Sequence, residues 1–441
     1  MNLERFYYKL PLILIICSFG TYISINLGLR VEHLVIYPFI SIYLLISILK
    51  QRSIIKNQFM IFSVWFLASC FMIIRTIMGD TSGIKITRII AELENFIQPL
   101  LIMSFFMFIT IKFKKEQAKD RLIKVSKLLI IMLLLNTIWS LMNIFIDFSF
   151  INVYFWGGVE SVSSRAMTNG RYSGIFNQPM EAGIAYSIGI FAWLYLNENV
   201  KMTKFKNIFI LFMMIVGGLL TVSKVFLFGG VPLFSIGVLL NKKVWKLLLP
   251  FLVFGGMLGY GVYSLLSNTW IGFSYLFRFF GSSENIITLL TAGRFGEQSQ
   301  QAMLFEKVWK ENALFGSGFG SNDVYDSGFF HFFANGGIVG LIFYILILSV
   351  FVILTIEVMI RYKNQSETKF FIGLSVLILG VSFGAPVLTL NRVSLILWVF
   401  IGLLNQYFYF SNCQENNVKS VGEKFEVKPK NKKDRKYKIA W

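Results

Sequence analysis

Polar side chains that could do chemistry are concentrated in three segments of this chain, each at the end of a long apolar run. The segments are 170–181, with Arg171, Tyr172 and Glu181; 220–224, with Lys224; and 291–341, with Arg294, Asp326 and His331. A guanidinium held where a loop meets a membrane lies at the depth of lipid headgroups. It can bind a phosphate or diphosphate there through parallel hydrogen bonds.

Most of these residues also have a simpler explanation. Arg171 and Lys224 could be cations that extend from the membrane edge into water, and Asp326 could cap the helix that follows it. His331 lies in an apolar stretch and is more typical of a hydrogen-bonded packing residue than of a catalyst. Glu181 is harder to explain in this way. A carboxylate one turn inside an apolar run must pair with a cation or line a cavity.

The composition predicts the elements that position these residues. The chain has 441 residues, of which 56% are hydrophobic and 15% charged, and its mean hydropathy is +0.66. This is too apolar for a water-soluble protein, and the continuous apolar runs predict an all-α polytopic membrane protein with about twelve transmembrane helices. Asn335, Gly336 and Gly337 interrupt the tenth run and predict that it begins as a half-buried or a broken helix. The predicted spans are 10–28, 34–49, 58–78, 94–111, 128–146, 174–196, 207–222, 225–240, 246–267, 329–359, 370–388 and 393–410.

Basic residues are concentrated in every second connecting loop, which predicts that both termini are cytoplasmic and that the long loops 147–173 and 268–328 face outward. The net charge of +19 is explained by these loops and by attraction to anionic lipid headgroups, so no nucleic acid is expected as a partner. We expect one polytopic membrane domain over 1–410. The basic cytoplasmic tail at 411–441 is predicted to be disordered.

The sequence of the large outer loop predicts a further helix outside the transmembrane spans. Within 297–315, Phe305, Val308 and Trp309 share one helical face and charged residues occupy most of the other, which predicts an amphipathic helix on the membrane surface or against the bundle. The glycines of 316–320 should end it and turn the chain back toward the bilayer. Two histidines and no carboxylate cluster at metal-ligand spacing predict neither a metal nor a cofactor.

In their order and position, these segments resemble the superfamily of O-antigen polymerases and O-antigen ligases. One departure favours the polymerase branch, because Asp326 and Ser327 stand where ligases carry a His-Asn pair. Another is Lys224 in place of an arginine, which keeps the charge but loses the bidentate fork. The matching features are Arg171 to Pro179, Ser223-Lys224, Gly293-Arg294, Gly316 to Gly320 and Gly337 to Gly340.

The resemblance implies a glycosyltransferase-C-like helical enzyme at the outer face of the bacterial cytoplasmic membrane. It would join undecaprenyl-diphosphate-linked oligosaccharides into O-antigen or capsule polysaccharide, with a chain-length regulator and a flippase as further partners. Alternatives are a ligase that transfers polymer to another acceptor, a flippase for lipid-linked oligosaccharides, or a permease. The implied roles are diphosphate stabilisation for Arg171 and Arg294, general base for Asp326, and substrate binding for Lys224, Tyr172, Glu181 and His331.

Overall fold

The computed structural model describes residues 3–24, 29–49, 53–79, 84–108, 114–158, 161–230, 300–321 and 327–425. The described chain is almost entirely helical, apart from a two-stranded hairpin of β1 (Tyr22–Ser24) and β2 (Leu29–Arg30) and a π-helical turn at Val225–Gly230. The helices are α1 (Leu3–Ser18), α2 (Val31–Leu49, π-helical at Ile36–Ile40), α3 (Lys56–Met78), α4 (Ile86–Met107), α5 (Lys115–Phe145), α6 (Ser149–Trp156), α7 (Val162–Thr168), α8 (Pro179–Asn199), α9 (Lys204–Leu220), α10 (Gln300–Asn312), α11 (Gly328–Arg361), α12 (Ser366–Val381) and α13 (Asn391–Phe425).

Six helices in the described part of the chain are long and apolar enough to cross a membrane, namely α2, α3, α4, α5, α11 and the part of α13 from Arg392 to Gln414. A bilayer core requires roughly 20 residues of helix, and the six helices have 19 to 34 residues. The prediction of an all-α membrane protein is therefore confirmed. The predicted span 246–267 and most of 225–240 lie outside the described residues.

Helix α13 forms the centre of the bundle. It packs against α1, α4, α5 and α8. In its most apolar 18-residue stretch, 94% of the residues are buried inside the protein, compared with 33–50% in the other five helices that could cross a membrane. Gly402 permits this close packing, because a Cβ there would lie 2.3 Å from the ring of Phe106. The outer helices bury one side only and expose apolar side chains such as Leu49 and Ile77 on the other, as expected where lipid is the solvent.

The predicted break in α11 is confirmed. Gly337 has φ +61° and ψ −151°, which is not helical. The carbonyls released by the break accept hydrogen bonds from the glycine-rich turn. The N–H of Ser317 donates to the carbonyl of Ala334 at 2.9 Å, and the N–H of Gly318 donates to the next carbonyl at 3.0 Å. Backbone groups at membrane depth need such partners, because lipid offers none.

Two positions around the break require glycine. At Gly337 a Cβ would lie 2.4 Å from the carbonyl carbon of Leu314, and at Gly316, where φ is +68°, it would lie 2.4 Å from the backbone nitrogen of Gly337. The glycines thus allow the backbone of the 314–316 segment to contact the backbone at Gly337, in conformations that other residues rarely adopt. The glycine-rich turn and the broken helix form one unit.

Several predicted span boundaries differ from the ends of the helices, among them the start of the fifth span, which lies at Lys115 and not at 128, and the end of the eleventh, which lies at Val381 and not at 388. The first span ends at Ser18 and not at 28, because the chain turns at Gly20, whose N–H donates to the carbonyl of Cys17 at 2.8 Å, and then forms the hairpin. The fourth span begins at Ile86 and not at 94. The prediction took Glu92 as part of a loop, but its side chain is buried and hydrogen-bonded inside the helix.

The last helix also extends further than predicted. α13 continues to Phe425, into the segment from 411 that was predicted to be disordered. The sequence offers no proline that would stop the helix before Pro429, and each added residue gains one backbone hydrogen bond. The rest of the predicted tail, 426–441, lies outside the described residues.

Candidate functional site

The first two polar segments meet in the structure, although about 50 residues of sequence separate them. The Nε of Arg171 donates to the carbonyl of Thr221 at 3.4 Å, and the N–H of Tyr172 donates to the carbonyl of Leu220 at 2.9 Å. Both side chains are half-buried, as is that of Lys224 in the same turn. The structure therefore brings Arg171 and Tyr172 against the turn that carries Lys224.

The end of α7 fixes the position of Arg171. Gly170 has φ +70°, and its N–H donates to the carbonyl of Met167 at 2.9 Å, while the N–H of Arg171 donates to the carbonyl of Ala166 at 3.0 Å. This pair of hydrogen bonds is a Schellman motif, in which glycine supplies the left-handed residue. The motif ends the short helix and directs the chain toward Tyr172 and the 220–224 turn.

Glu181 connects two helix N-termini. Its side chain is fully buried in the first turn of α8. One carboxylate oxygen accepts the N–H of Asn177 at 3.1 Å and the other accepts the N–H of Arg392 at 2.9 Å. A carboxylate at two helix N-termini is stabilised by both helix dipoles. Both oxygens are thus satisfied by backbone N–H groups within the protein, and the carboxylate also interacts electrostatically with Arg392.

Arg392, which the sequence reasoning missed, joins four distant segments. It is fully buried. Its Nη2 donates to the carbonyls of Gly20 and Phe155, both at 2.8 Å, and its Nη1 donates to the carbonyl of Ile175. Its charge lies 5.9 Å from the ring centre of Tyr22. Arg392 thereby holds the 170–181 segment against the hairpin and the start of α13.

A second buried charged group lies beside the hairpin. The Nη1 of Arg30 is 2.9 Å from Glu32 Oε1, and its Nη2 is 3.3 Å from Glu94 Oε1. Burial lowers the pKa of Arg30, but the carboxylates of Glu32 and Glu94 raise it more, so it lies above its ordinary value. Burial raises the pKa of Tyr22, whose phenol interacts electrostatically with both Arg30 and Arg392. The cluster of buried charges around Arg30 therefore lies next to Arg392.

The hydrogen bonds of His33 argue against a catalytic role. Its Nδ1 accepts the backbone N–H of Arg30 at 3.2 Å, which leaves the ring proton on Nε2, facing Glu94. We assign this tautomer from the hydrogen-bond network. With both ring nitrogens engaged, His33 is a structural link within the charged group.

The glycine-rich turn is anchored to α3 and α4. The N–H of Gly320 donates to Glu92 Oε2 at 2.9 Å, and the amide of Asn335 donates to the same oxygen at 3.4 Å. The Nε of Arg75 donates to the carbonyl of Gly316 at 2.8 Å. The third polar segment is therefore attached to the bundle by side chains that its own sequence does not indicate.

The remaining predicted site residues have different outcomes. His331 is buried, its Nδ1 is 3.1 Å from Thr389 Oγ1, and its ring packs against Phe96, which supports a packing role. Asp326 and Arg294 lie outside the described residues. The N-cap of α11 is Ser327.

Three missed residues, Arg75, Glu92 and Arg392, share one signal in the sequence. Each is a charged residue close to the end of an apolar run, at a membrane face where the predicted topology does not require positive charge. Within the described ranges, no group of three or more His, Cys, Asp or Glu side chains is arranged to hold a metal ion.

Compared with models of known protein families, with curated proteins and with solved structures, the chain matches none. Its function is therefore inferred from its motifs and from the geometry described above.

Proposed function

We propose that this chain is a metal-independent membrane polysaccharide polymerase that joins undecaprenyl-diphosphate-linked oligosaccharide repeats. The observation that carries the proposal is the junction of two cationic segments, in which Arg171, fixed by the Schellman motif, packs on the turn of Lys224. A diphosphate carries several negative charges, and binding it in a region of low dielectric requires cations from more than one place.

In the proposed reaction, a hydroxyl of one lipid-linked repeat attacks the anomeric carbon of the glycan on another. A glycosidic bond forms, the bond from that carbon to the diphosphate oxygen breaks, and undecaprenyl diphosphate leaves with the bonding electrons. Asp326 accepts the proton of the attacking hydroxyl. Arg171 and Arg294, with Lys224 in support, stabilise the charge that develops on the departing diphosphate.

Tyr172 is proposed to bind sugar. Its backbone is fixed against Leu220, and burial raises the pKa of its phenol, so the hydroxyl stays protonated at neutral pH and can donate a hydrogen bond. Its ring can stack on a sugar face. Glu181 and Arg392 act on the same segment indirectly, because they hold its backbone in place.

The proposed fold is glycosyltransferase-C-like with about twelve crossings, in the bacterial cytoplasmic membrane, with both termini inside and the polar segments outside. Reporter fusions test this orientation. Fusions within 112–127 and the tail should report the cytoplasm, and fusions within 268–328 the outer side. An outward-facing 112–127 loop would overturn the assignment of the site to the outer face.

The gel pattern of surface glycan from a strain that lacks the protein tests the function. Single repeats are expected for a polymerase. Long unattached polymer would instead indicate a ligase, and intracellular accumulation of repeats a flippase. The strain should regain polymer with the wild-type chain and with Arg165→Ala, which removes an exposed cation from the same helix end, but not with Arg171→Ala.

A further inference from the structure

One end of α3 carries a cation at the depth of lipid headgroups. α3 has 23 residues, which corresponds to a length of about 35 Å at 1.5 Å per residue, compared with roughly 30 Å for the hydrocarbon core. Arg75 lies three residues before the helix ends at Met78, or about 4–5 Å along the axis. Its side chain is therefore at the boundary between acyl chains and headgroups.

Only part of the Arg75 guanidinium is engaged. Its Nε donates to the carbonyl of Gly316 at 2.8 Å. Within the described parts of the chain, neither Nη nitrogen forms a hydrogen bond or ion pair, and the side chain is half-buried. This hydrogen bond orients the guanidinium, and among the described residues no carboxylate pairs with its positive charge.

An apolar surface surrounds this cation. The ring of Phe71 lies 6.5 Å from that of Phe315 and 5.9 Å from that of Phe343. Phe315 is 53% exposed although it is aromatic, and it belongs to the turn that Arg75 holds. The neighbouring exposed apolar side chains are Ile74, Ile77, Met78, Leu314 and Ile342.

We propose that Arg75 and the apolar surface formed by Phe71, Phe315 and Phe343 bind an anionic phospholipid of the adjoining leaflet. The free Nη nitrogens bind its phosphate, and the rings contact its acyl chains. The combination of one available cation with a broad apolar face complements one phosphodiester on two hydrocarbon chains. Because the bound lipid also covers the Gly316 turn, it stabilises the unit formed with the break in α11.

A bilayer lipid suits this surface better than the proposed lipid-linked substrate. α3 packs against α4 and α11, whereas Arg171 packs between α7 and the end of α9. Among the described residues, Arg75 is the cation that adjoins these three rings, and a diphosphate would require more than one such charge. The inference stands independently of the proposed polymerase activity.

Native mass spectrometry of the purified full-length protein in detergent, titrated with phosphatidylglycerol or phosphatidylcholine, tests the proposal. Arg75→Gln can still donate to the Gly316 carbonyl but lacks the charge. We expect it to bind phosphatidylglycerol about tenfold more weakly than the wild type. The matched control is Lys310→Gln, which removes an exposed cation paired with Glu306 on α10 and should leave lipid binding unchanged.

Phosphatidylglycerol binding by Arg75→Gln at the wild-type level would overturn the proposal. So would preference of the wild type for undecaprenyl phosphate over phosphatidylglycerol, because the occupant would then be an isoprenoid lipid. Phe315→Ala keeps the hydrogen bond of Arg75 to the backbone and gives a second test if Arg75→Gln does not accumulate. Weaker binding of phosphatidylglycerol by this variant supports the surface, and unchanged binding contradicts it.

Discussion

Replacing Arg392 by Gln should destabilise the protein strongly, because this one side chain holds together segments that are far apart in sequence. The guanidinium donates to three carbonyls, those of Gly20, Phe155 and Ile175. Each buried acceptor that loses its donor costs about 1–3 kcal/mol. The substitution also leaves the buried carboxylate of Glu181 without its nearest compensating charge.

The expected loss is about 3–5 kcal/mol, the lower part of the range for three buried acceptors at about 1–3 kcal/mol each. This is a large fraction of the roughly 5–15 kcal/mol that keeps a protein folded. Glu181→Gln in the same chain should recover part of the loss, because it removes the uncompensated charge. The double variant should therefore lose about 1–3 kcal/mol less stability than the sum of the losses of the two single variants.

Thermal denaturation of detergent-purified protein, followed by size-exclusion chromatography, measures these effects. Arg361→Gln is the matched control, since that arginine is 54% exposed and pairs with Glu357 one turn away. It should change stability by less than about 0.5 kcal/mol. The reasoning would be refuted if Arg392→Gln melted at the same temperature as the wild type, or if the effects of Arg392→Gln and Glu181→Gln were strictly additive.

Three further predictions concern the helix break and the proposed chemistry. Gly337→Ala should lower the melting temperature and the amount of protein, because it places a Cβ 2.4 Å from backbone at positive φ, whereas Gly380→Ala, with nothing within 4 Å, should be neutral or slightly stabilising. Asp326→Asn should abolish surface polymer while the protein still accumulates in the membrane, since it keeps the size of the side chain but removes the base; normal polymer would exclude Asp326 as that base. Arg171→Ala and Arg294→Ala should each remove polymer without loss of protein, and Lys at either position should restore it only in part, because the fork geometry is lost; full rescue by Lys would exclude bidentate binding.

The membrane-spanning elements were largely predictable from the sequence, because the bilayer imposes a minimum length of apolar helix. The break at Gly337 was also predictable, since two consecutive glycines after Asn335 weaken a helix locally. A charged residue caused one of the boundary errors. Glu92 was treated as the end of a loop, although its carboxylate is hydrogen-bonded within the bundle, and periodicity cannot reveal a partner more than 200 residues away.

The candidate site was predictable only in part. The junction of Arg171 with Thr221 follows from a Schellman motif and a helix packing that no local pattern specifies. Arg392 was missed for the same reason, because its carbonyl partners come from the turn before the hairpin, α6 and the segment before α8. A cation at the start of a span, on the face where topology does not require one, is the signal that could have identified it.

Reconstitution of the purified protein in liposomes with undecaprenyl-diphosphate-linked repeats is the most direct test of the central claim. The wild-type chain should convert single repeats into a ladder of longer lipid-linked glycans and release undecaprenyl diphosphate, without added metal. Arg165→Ala should do the same, and Arg171→Ala should leave the repeats unchanged. The account would be contradicted if the wild-type protein only moved repeats across the bilayer, or if Arg171→Ala polymerised them at the wild-type rate.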